Sequence, residues 1–196
     1  MARPRGFDTD RALDGAMDVF WQKGYAGASL NDLLAGMGIA RGSFYKAFSD
    51  KKSLFLLILE RYRERAVLPA VADLSDATEP DGLARIEALF ARIIADVRAG
   101  DRRGCLLCSA AAGPATDDPE IAGAVRKLLD EMRGGFRAAL AARPGQAPAD
   151  LESPTATAQT LQTLYDGHRL LTRANVPADH LEMSVSELMA LLKTRR

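Results

Sequence analysis

Apolar residues recur at three- and four-residue spacing through nearly every segment of this chain, and no sustained apolar–polar alternation appears. That period dictates helices and leaves no strand from which to build a sheet. The expected fold class is therefore all-α. A first helix is expected over 9–23, with Ala12, Leu13, Ala16, Met17 and Phe20 on its apolar face and Gly24 ending it. Ser29 followed by Asp32 reads as a capping box, so a second helix starts there and carries Leu30, Leu33 and Leu34. It ends at "AGMG", whose glycines suit a tight turn. A short third helix follows over 40–47. Asp50 caps a long fourth, from 51 to about 67, which Pro69 stops. Two helices joined by a turn of about four residues, with a third packed across them, make a helix-turn-helix.

The division expected is a head over 1–67 and an all-helical body over 68–196. The body begins after the polar stretch "DLSDATEPDG", and its helices are expected near 83–99, 103–113, 119–142, 154–174 and 179–193. The segment "ARPGQAPADLESP", 142–154, is the longest expected loop. The last two helices carry two apolar stripes: Leu161, Leu164, Tyr165, His168 and Leu171 on one, Leu181, Val185, Leu188, Leu191 and Leu192 on the other. They either close the monomer's core or pair with the same helices of a second chain. Small residues such as Gly167 and Ser184 would permit close helix approach in the second case.

With 47% hydrophobic and 27% charged residues, the composition is that of a globular protein and excludes disorder. No apolar run approaches a membrane span, and the basic opening "MARPRGFDTD" has no apolar stretch behind it, so the default location is the cytoplasm. Net charge is zero, yet it is unevenly spread. Residues 1–65 hold eleven Lys/Arg against eight Asp/Glu, and 66–196 hold fifteen against eighteen. A balance of +3 on the head and −3 on the body permits a local phosphate footprint.

The stretch "GMGIARGSFYKAFSDKKSLF", 36–55, sharpens that reading. It offers no paired acid, base or nucleophile for catalysis. It does offer a short helix with small residues for close approach, and cations for phosphate. The series Ala16, Phe20, Gly24, Tyr25, Ser29, Leu33, Leu34, Gly38, Ile39, Gly42, Phe44, Tyr45, Phe48, Lys51 and Leu54 resembles, without a gap, the DNA-binding domain of the TetR family of bacterial transcriptional regulators. The resemblance spans roughly 9–56, and the helical body matches the family's ligand-binding and dimerisation domain in length. It implies a homodimer on a nearly palindromic operator, repression of a nearby gene, and release when a small molecule in the body changes the separation of the two heads.

Carried onto this sequence, the resemblance makes 40–47 the recognition helix. Arg41 and Ser43 become candidates for base edges, with Arg41 able to grip a guanine bidentately. Tyr45 and Lys46 are implied contacts to phosphate or base, and Gly42 removes bulk at the backbone. Ser29 and Lys51, at two helix starts, are implied phosphate anchors. Phe44 and Phe48 are expected in the core. Two positions depart from the family pattern: Ala40 stands where a capping Ser or Thr is usual, and Ala47 where a His or Tyr often meets phosphate.

"RRGCLLCSAA" holds the chain's two cysteines, Cys105 and Cys108, one helical turn apart. A metal site would need partners that His168 and His180 do not supply locally, so neither metal nor cofactor is expected. A dithiol enzyme would need a strand–turn–helix context that is missing. Two readings stay open: small buried hydrophobes, or a thiol sensor whose Cys105 is activated by Arg102, Arg103 and the nearby helix start, with Cys108 resolving it. The "GCL" opening is also similar to a TetR subgroup responsive to reactive species. For a bound effector, the expected pocket wall is Phe90, Ile94, Met132, Phe136, Tyr165 and His168. The alternatives to a DNA-binding regulator are a thiol-dependent oxidoreductase and an all-helical protein-interaction dimer.

Overall fold

A computed structural model describes residues 7–142 and 154–194. The first residues of the basic N-terminus and nearly all of the expected 142–154 loop lie outside the described residues. Among the described residues there is no strand, and no helix is long and apolar enough to cross a membrane.

The head is four helices whose ends are set by local chemistry. α1 (Thr9–Gly27) starts at Asp8, whose side chain accepts from the Arg11 N–H at 3.1 Å. Gly24 interrupts it with φ 70°, where the sequence placed the stop, and a last turn continues to Gly27. α2 (Leu30–Met37) carries the full capping box, with Ser29 and Asp32 serving each other's backbone N–H groups. Gly38, in the left-handed region at φ 65°, closes α2: its own N–H reaches Ala35 and that of Ile39 reaches Leu34. α3 (Arg41–Phe48) begins at Ala40 with no side-chain cap, as the alanine dictates. α4 (Lys51–Tyr62) is capped by Asp50, which accepts from the Ser53 N–H at 2.7 Å.

The expected stop at Pro69 does not occur. α4 passes into a π-helical turn, Arg63–Val67, in which the Leu68 N–H reaches back to the Arg63 carbonyl, and α5 (Leu68–Ser75) follows directly. A proline inside an α-helix lacks an N–H and strikes the carbonyl four residues back. The wider turn re-phases the ladder, and Pro69 then falls in the first turn of α5, where no N–H is needed. The body continues with α6 (Gly82–Arg98), α7 (Leu106–Ala111), a short 3-10 turn at Pro114–Asp117, α8 (Pro119–Ala141), α9 (Pro154–Arg173) and α10 (Ala178–Thr194). α7 is shorter than the 103–113 expected, because Gly104 at φ 72° and the extended Cys105 hold the chain out of the helix.

Phe20, Leu33, Phe44, Leu54, Phe55 and Ile58 fill the head's interior, with the Phe20 and Phe55 rings edge to face at 4.8 Å. Fully burying one such ring stabilises the fold by about 1.5–3 kcal/mol. α1 and α2 cross backbone to backbone: a Cβ on Gly15 would lie 2.0 Å from the Gly36 carbonyl oxygen, so neither helix tolerates a side chain there. α8 is the body's central helix and packs on α5, α6 and α9 around Phe90, Leu128, Phe136 and Leu161. Head and body are tied by ion pairs, Lys52 to Asp118 and Glu120 at 2.8 Å each, and Arg63 to Glu131 at 2.7 Å. The apolar stripes of α9 and α10 divide. Leu161, His168, Leu181, Val185 and Leu192 face the core, whereas Leu170, Leu171, Met183 and Leu191 are exposed.

Candidate nucleic-acid interface and effector cavity

α3 is anchored from below and bare above. Phe44 and Phe48 are buried one turn apart, and the opposite face exposes Arg41, Gly42, Tyr45 and Lys46, with Ser43 half-buried beside them. Tyr45 is 51% exposed although its ring meets that of Phe44 edge to face at 5.4 Å, so one side of it stays open to solvent. No Cβ contact would arise at Gly42, so that point of the helix is open to a surface laid against it. The Arg41 guanidinium donates to the Asn31 Oδ1 at 3.0 Å, which holds it at the leading end of α3. Asn31 lies ten positions away on α2, and no spacing rule singles it out.

The two expected phosphate anchors sit at helix starts but differ in state. The Ser29 hydroxyl accepts from the Asp32 N–H and donates to its carboxylate at 2.7 Å. Lys23 closes the group at 2.5 Å from Asp32, and with Ser29 it pulls that carboxyl down to about 2. Lys51 is half-buried with its Nζ 4.8 Å from the centre of the Tyr25 ring, and burial lowers its pKa. Its neighbour Lys52, turned to Asp118 and Glu120, is the cation that faces the body.

A cavity of 330 Å³ lies where head meets body. Its walls are Trp21 of α1, Tyr62 of α4, the π turn, Arg92 of α6, Cys105, Met132 of α8, and Tyr165 and Arg169 of α9. Of the wall residues expected from sequence, Met132 and Tyr165 line it. Phe90, Ile94, Phe136 and His168 are buried in the core behind it. The reason is packing: the Phe90 ring meets Tyr165 at 5.9 Å and His168 at 5.3 Å, each edge to face, so the aromatic layer is consumed by itself. His168 is fully engaged, donating from Nδ1 to the Leu164 carbonyl at 2.7 Å and meeting the Ser184 hydroxyl through Nε2 at 2.8 Å. Burial pushes Tyr165 up to about 12, so it presents a neutral hydroxyl to the cavity.

Both cysteines are free thiols, Cys105 buried and part of this cavity's wall, Cys108 half-buried one turn on. The neighbouring Cys108 thiol lowers the Cys105 pKa, and the Arg169 charge and Tyr62 hydroxyl add to it against the cost of burial. Cys108 is correspondingly raised. Arg102 and Arg103, the activating cations expected from sequence, are engaged elsewhere: Arg102 donates to the Val176 carbonyl, and Arg103 pairs with Asp101 and lies over the Trp21 ring. The cation that acts on Cys105 is Arg169, from α9. Among the described residues no group of three or more His, Cys, Asp or Glu side chains is placed to hold a metal ion.

Residues 12–58 match the family model for bacterial regulatory proteins of the tetR family. Over 63 residues the chain is 46% identical to the HTH-type transcriptional repressor ComR of Escherichia coli, a match covering 32% of this chain and 30% of ComR. It is 28% identical to the HTH-type transcriptional regulator YezE of Bacillus subtilis over 96% of this chain and 100% of YezE. The fold superposes with a TM-score of 0.82 on a cysteine mutant of the TetR family transcriptional regulator CifR, solved in complex with 26-base-pair double-strand operator DNA. That relative is 30% identical, and the alignment covers 96% of this chain and 98% of CifR. The chain belongs to the TetR family. It is a helix-turn-helix DNA-binding transcriptional regulator, in a class of regulators rather than enzymes.

In this TetR-family chain, three structural features of the candidate sites escaped the sequence. They are the Asn31 support of Arg41, the π turn joining α4 to α5, and the meeting of Trp21, Tyr62, Cys105 and Arg169 at the cavity. Only the π turn left a local trace, the Pro69 that ought to have ended a helix.

Proposed function

We propose that the chain is a homodimeric repressor whose two α3 helices enter successive major grooves of a two-fold operator, and which leaves DNA when an effector occupies, or modifies Cys105 in, the junction cavity. The observation that carries the DNA side is the one-sided exposure of α3, with Arg41, Tyr45 and Lys46 outward and Phe44 and Phe48 inward. Arg41 and Ser43 read base edges, with Gly42 allowing the approach. Tyr45, Lys46 and Lys51 meet phosphate, and Ser29 contributes through the N–H groups of the α2 start. Head and body divide at 1–67 and 68–196, which puts the π turn at the end of the head.

The dimer reading is supported by the outer faces of α9 and α10. Leu170, Leu171, Met183 and Leu191 are all exposed, and Gly167 has open space where a Cβ would stand. Burying such a stripe against its own copy is the ordinary route to a two-fold dimer. The effector reading is supported by the cavity's position against both Trp21 of α1 and Tyr62 of α4.

The test is selection of random duplex DNA by the fully reduced protein at fixed salt, with Arg41→Ala run alongside. A two-fold consensus that the variant fails to enrich is the expected result. A dimeric, folded protein that enriches no sequence would sink the proposal.

A further inference from the structure

Four arginines and three aspartates line the junction cavity. Arg65 pairs with Asp14 at 2.5 Å, Arg103 with Asp101 at 2.8 Å, and Arg92 with Asp73, and all three arginines are exposed. Of the remaining acids, Asp96 is exposed, and Asp166 accepts from the Gln162 amide at 3.1 Å. Arg169 differs from the rest. It is half-buried, and it forms no ion pair among the described residues. Its guanidinium donates to the neutral Gly104 carbonyl at 2.6 Å, which takes up one of its five N–H groups. A cation drawn partly out of water and left without an anion favours one that can reach it.

Tyr165 stands four positions earlier on the same face of α9 and also lines the cavity. Among the described residues its hydroxyl has no hydrogen-bond partner, and it stays neutral, so it too can donate. Trp21, Tyr62, Leu129 and Met132 supply an apolar and largely aromatic wall. At about 30 Å³ per molecule of liquid water, the 330 Å³ of the cavity is room for one ring and its substituent.

We infer that the junction cavity takes a small aromatic carboxylate, with its carboxylate on Arg169 and Tyr165 and its ring against Trp21 and Met132. This deepens the effector reading above and rests on it for the effect on DNA. One unpaired guanidinium matches one negative charge, and its planar fork matches the two oxygens of a carboxylate. The site also lies where α9 holds α1. The Gly104 carbonyl that Arg169 grips accepts from the Trp21 indole N–H at 3.3 Å, and Arg173, one turn on, donates to the Trp21 and Gln22 carbonyls at 2.7 and 2.8 Å. A ligand that recruits Arg169 therefore acts on the backbone and side-chain hold on one residue of the head.

The experiment titrates the reduced full chain with benzoate, its neutral isostere benzamide, and inorganic phosphate, by calorimetry and by the emission of Trp21, the chain's one tryptophan. Benzoate should bind at least about tenfold more tightly than benzamide, the size of one hydrogen bond to a charged group, and more tightly than phosphate. Arg169→Gln should bring benzoate down to the affinity of benzamide and leave benzamide unchanged, which shows the cavity intact. Tyr165→Phe, which keeps the ring, should weaken benzoate about fivefold. Saturating benzoate should raise Kd for the selected duplex about tenfold, the ordinary size of coupling between sites. Equal binding of benzoate and benzamide, phosphate as tight as benzoate, or a preference for benzoate that survives in Arg169→Gln overturns the inference. So does benzoate that binds and leaves the duplex Kd unchanged. These failures leave the DNA consensus intact, whereas absence of any consensus overturns the regulator reading and leaves the carboxylate titrations standing.

Discussion

The protein carries two arginine–tyrosine pairs in opposite surroundings. On α3, Arg41 and Tyr45 are exposed, and Arg41 touches only a neighbouring asparagine side chain among the hydrogen bonds it forms. At the junction, Tyr62 is 4% exposed and Arg169 is turned onto the Gly104 carbonyl beside Cys105. The same side chains therefore do different things. The outer pair has its donors turned to solvent, where phosphate and base edges can take them at little cost in lost contacts. The inner pair has already given up water, and its free energy is tied to one arrangement of head and body. Exposure, not residue type, separates the outer surface from the inner joint.

That contrast breaks most easily at Trp21. Trp21→Ala should cost about 3–5 kcal/mol of stability, read by urea denaturation, because it removes a buried ring, its contact with Tyr62 and an indole hydrogen bond. Tyr45→Ala in the same assay should stay within about 0.5 kcal/mol. Equal losses for the two would erase the distinction between surface and joint. Arg41→Ala comes next, costing about 1–3 kcal/mol in binding to the selected duplex, with an unchanged unfolding midpoint. A loss of stability in that variant would move Arg41 to the structural side. Ser29→Ala should cost about 1 kcal/mol of stability through the lost cap, with a smaller effect on DNA, and a binding loss larger than the stability loss would make Ser29 chiefly a phosphate ligand. Lys46→Ala should weaken binding evenly across sequences and reduce the salt slope of log K by about one.

The smallest effect concerns acid. The Asp32 carboxyl is held at about 2, below its ordinary 3.8, by Lys23 and Ser29. A depressed folded pKa adds stability above the unfolded value, and that stability is lost as pH falls from 3.8 toward 2. The thermal midpoint of Asp32→Asn should therefore lie below the parent's at neutral pH, and the gap should narrow in that acid window. A gap that persisted unchanged to pH 2 would assign the effect of Asp32 to packing instead.

The head was legible because its signals are local. A cap and its N–H lie three residues apart, a glycine stop acts on its own turn, and apolar spacing fixes which face of α3 is buried, so Ser29, Gly24, Gly38, Phe44 and Phe48 stand where the sequence placed them. The body was less legible for the converse reason. Phe90, Phe136 and His168 have the composition of a ligand wall, and packing turned them into one another, leaving Met132 and Tyr165 at the cavity.

By itself, then, the sequence determined the all-α class, the starts of the head helices, and the residues of a helix-turn-helix, since each depends on neighbours within a turn or two. The tertiary structure alone decided that Pro69 opens α5 instead of ending α4, and that Arg169 rather than Arg103 acts on Cys105. It alone joined Trp21 to Gly104 across 83 positions. Such contacts are set by how whole helices pack, and no local spacing encodes which distant side chain that packing will bring within hydrogen-bonding reach.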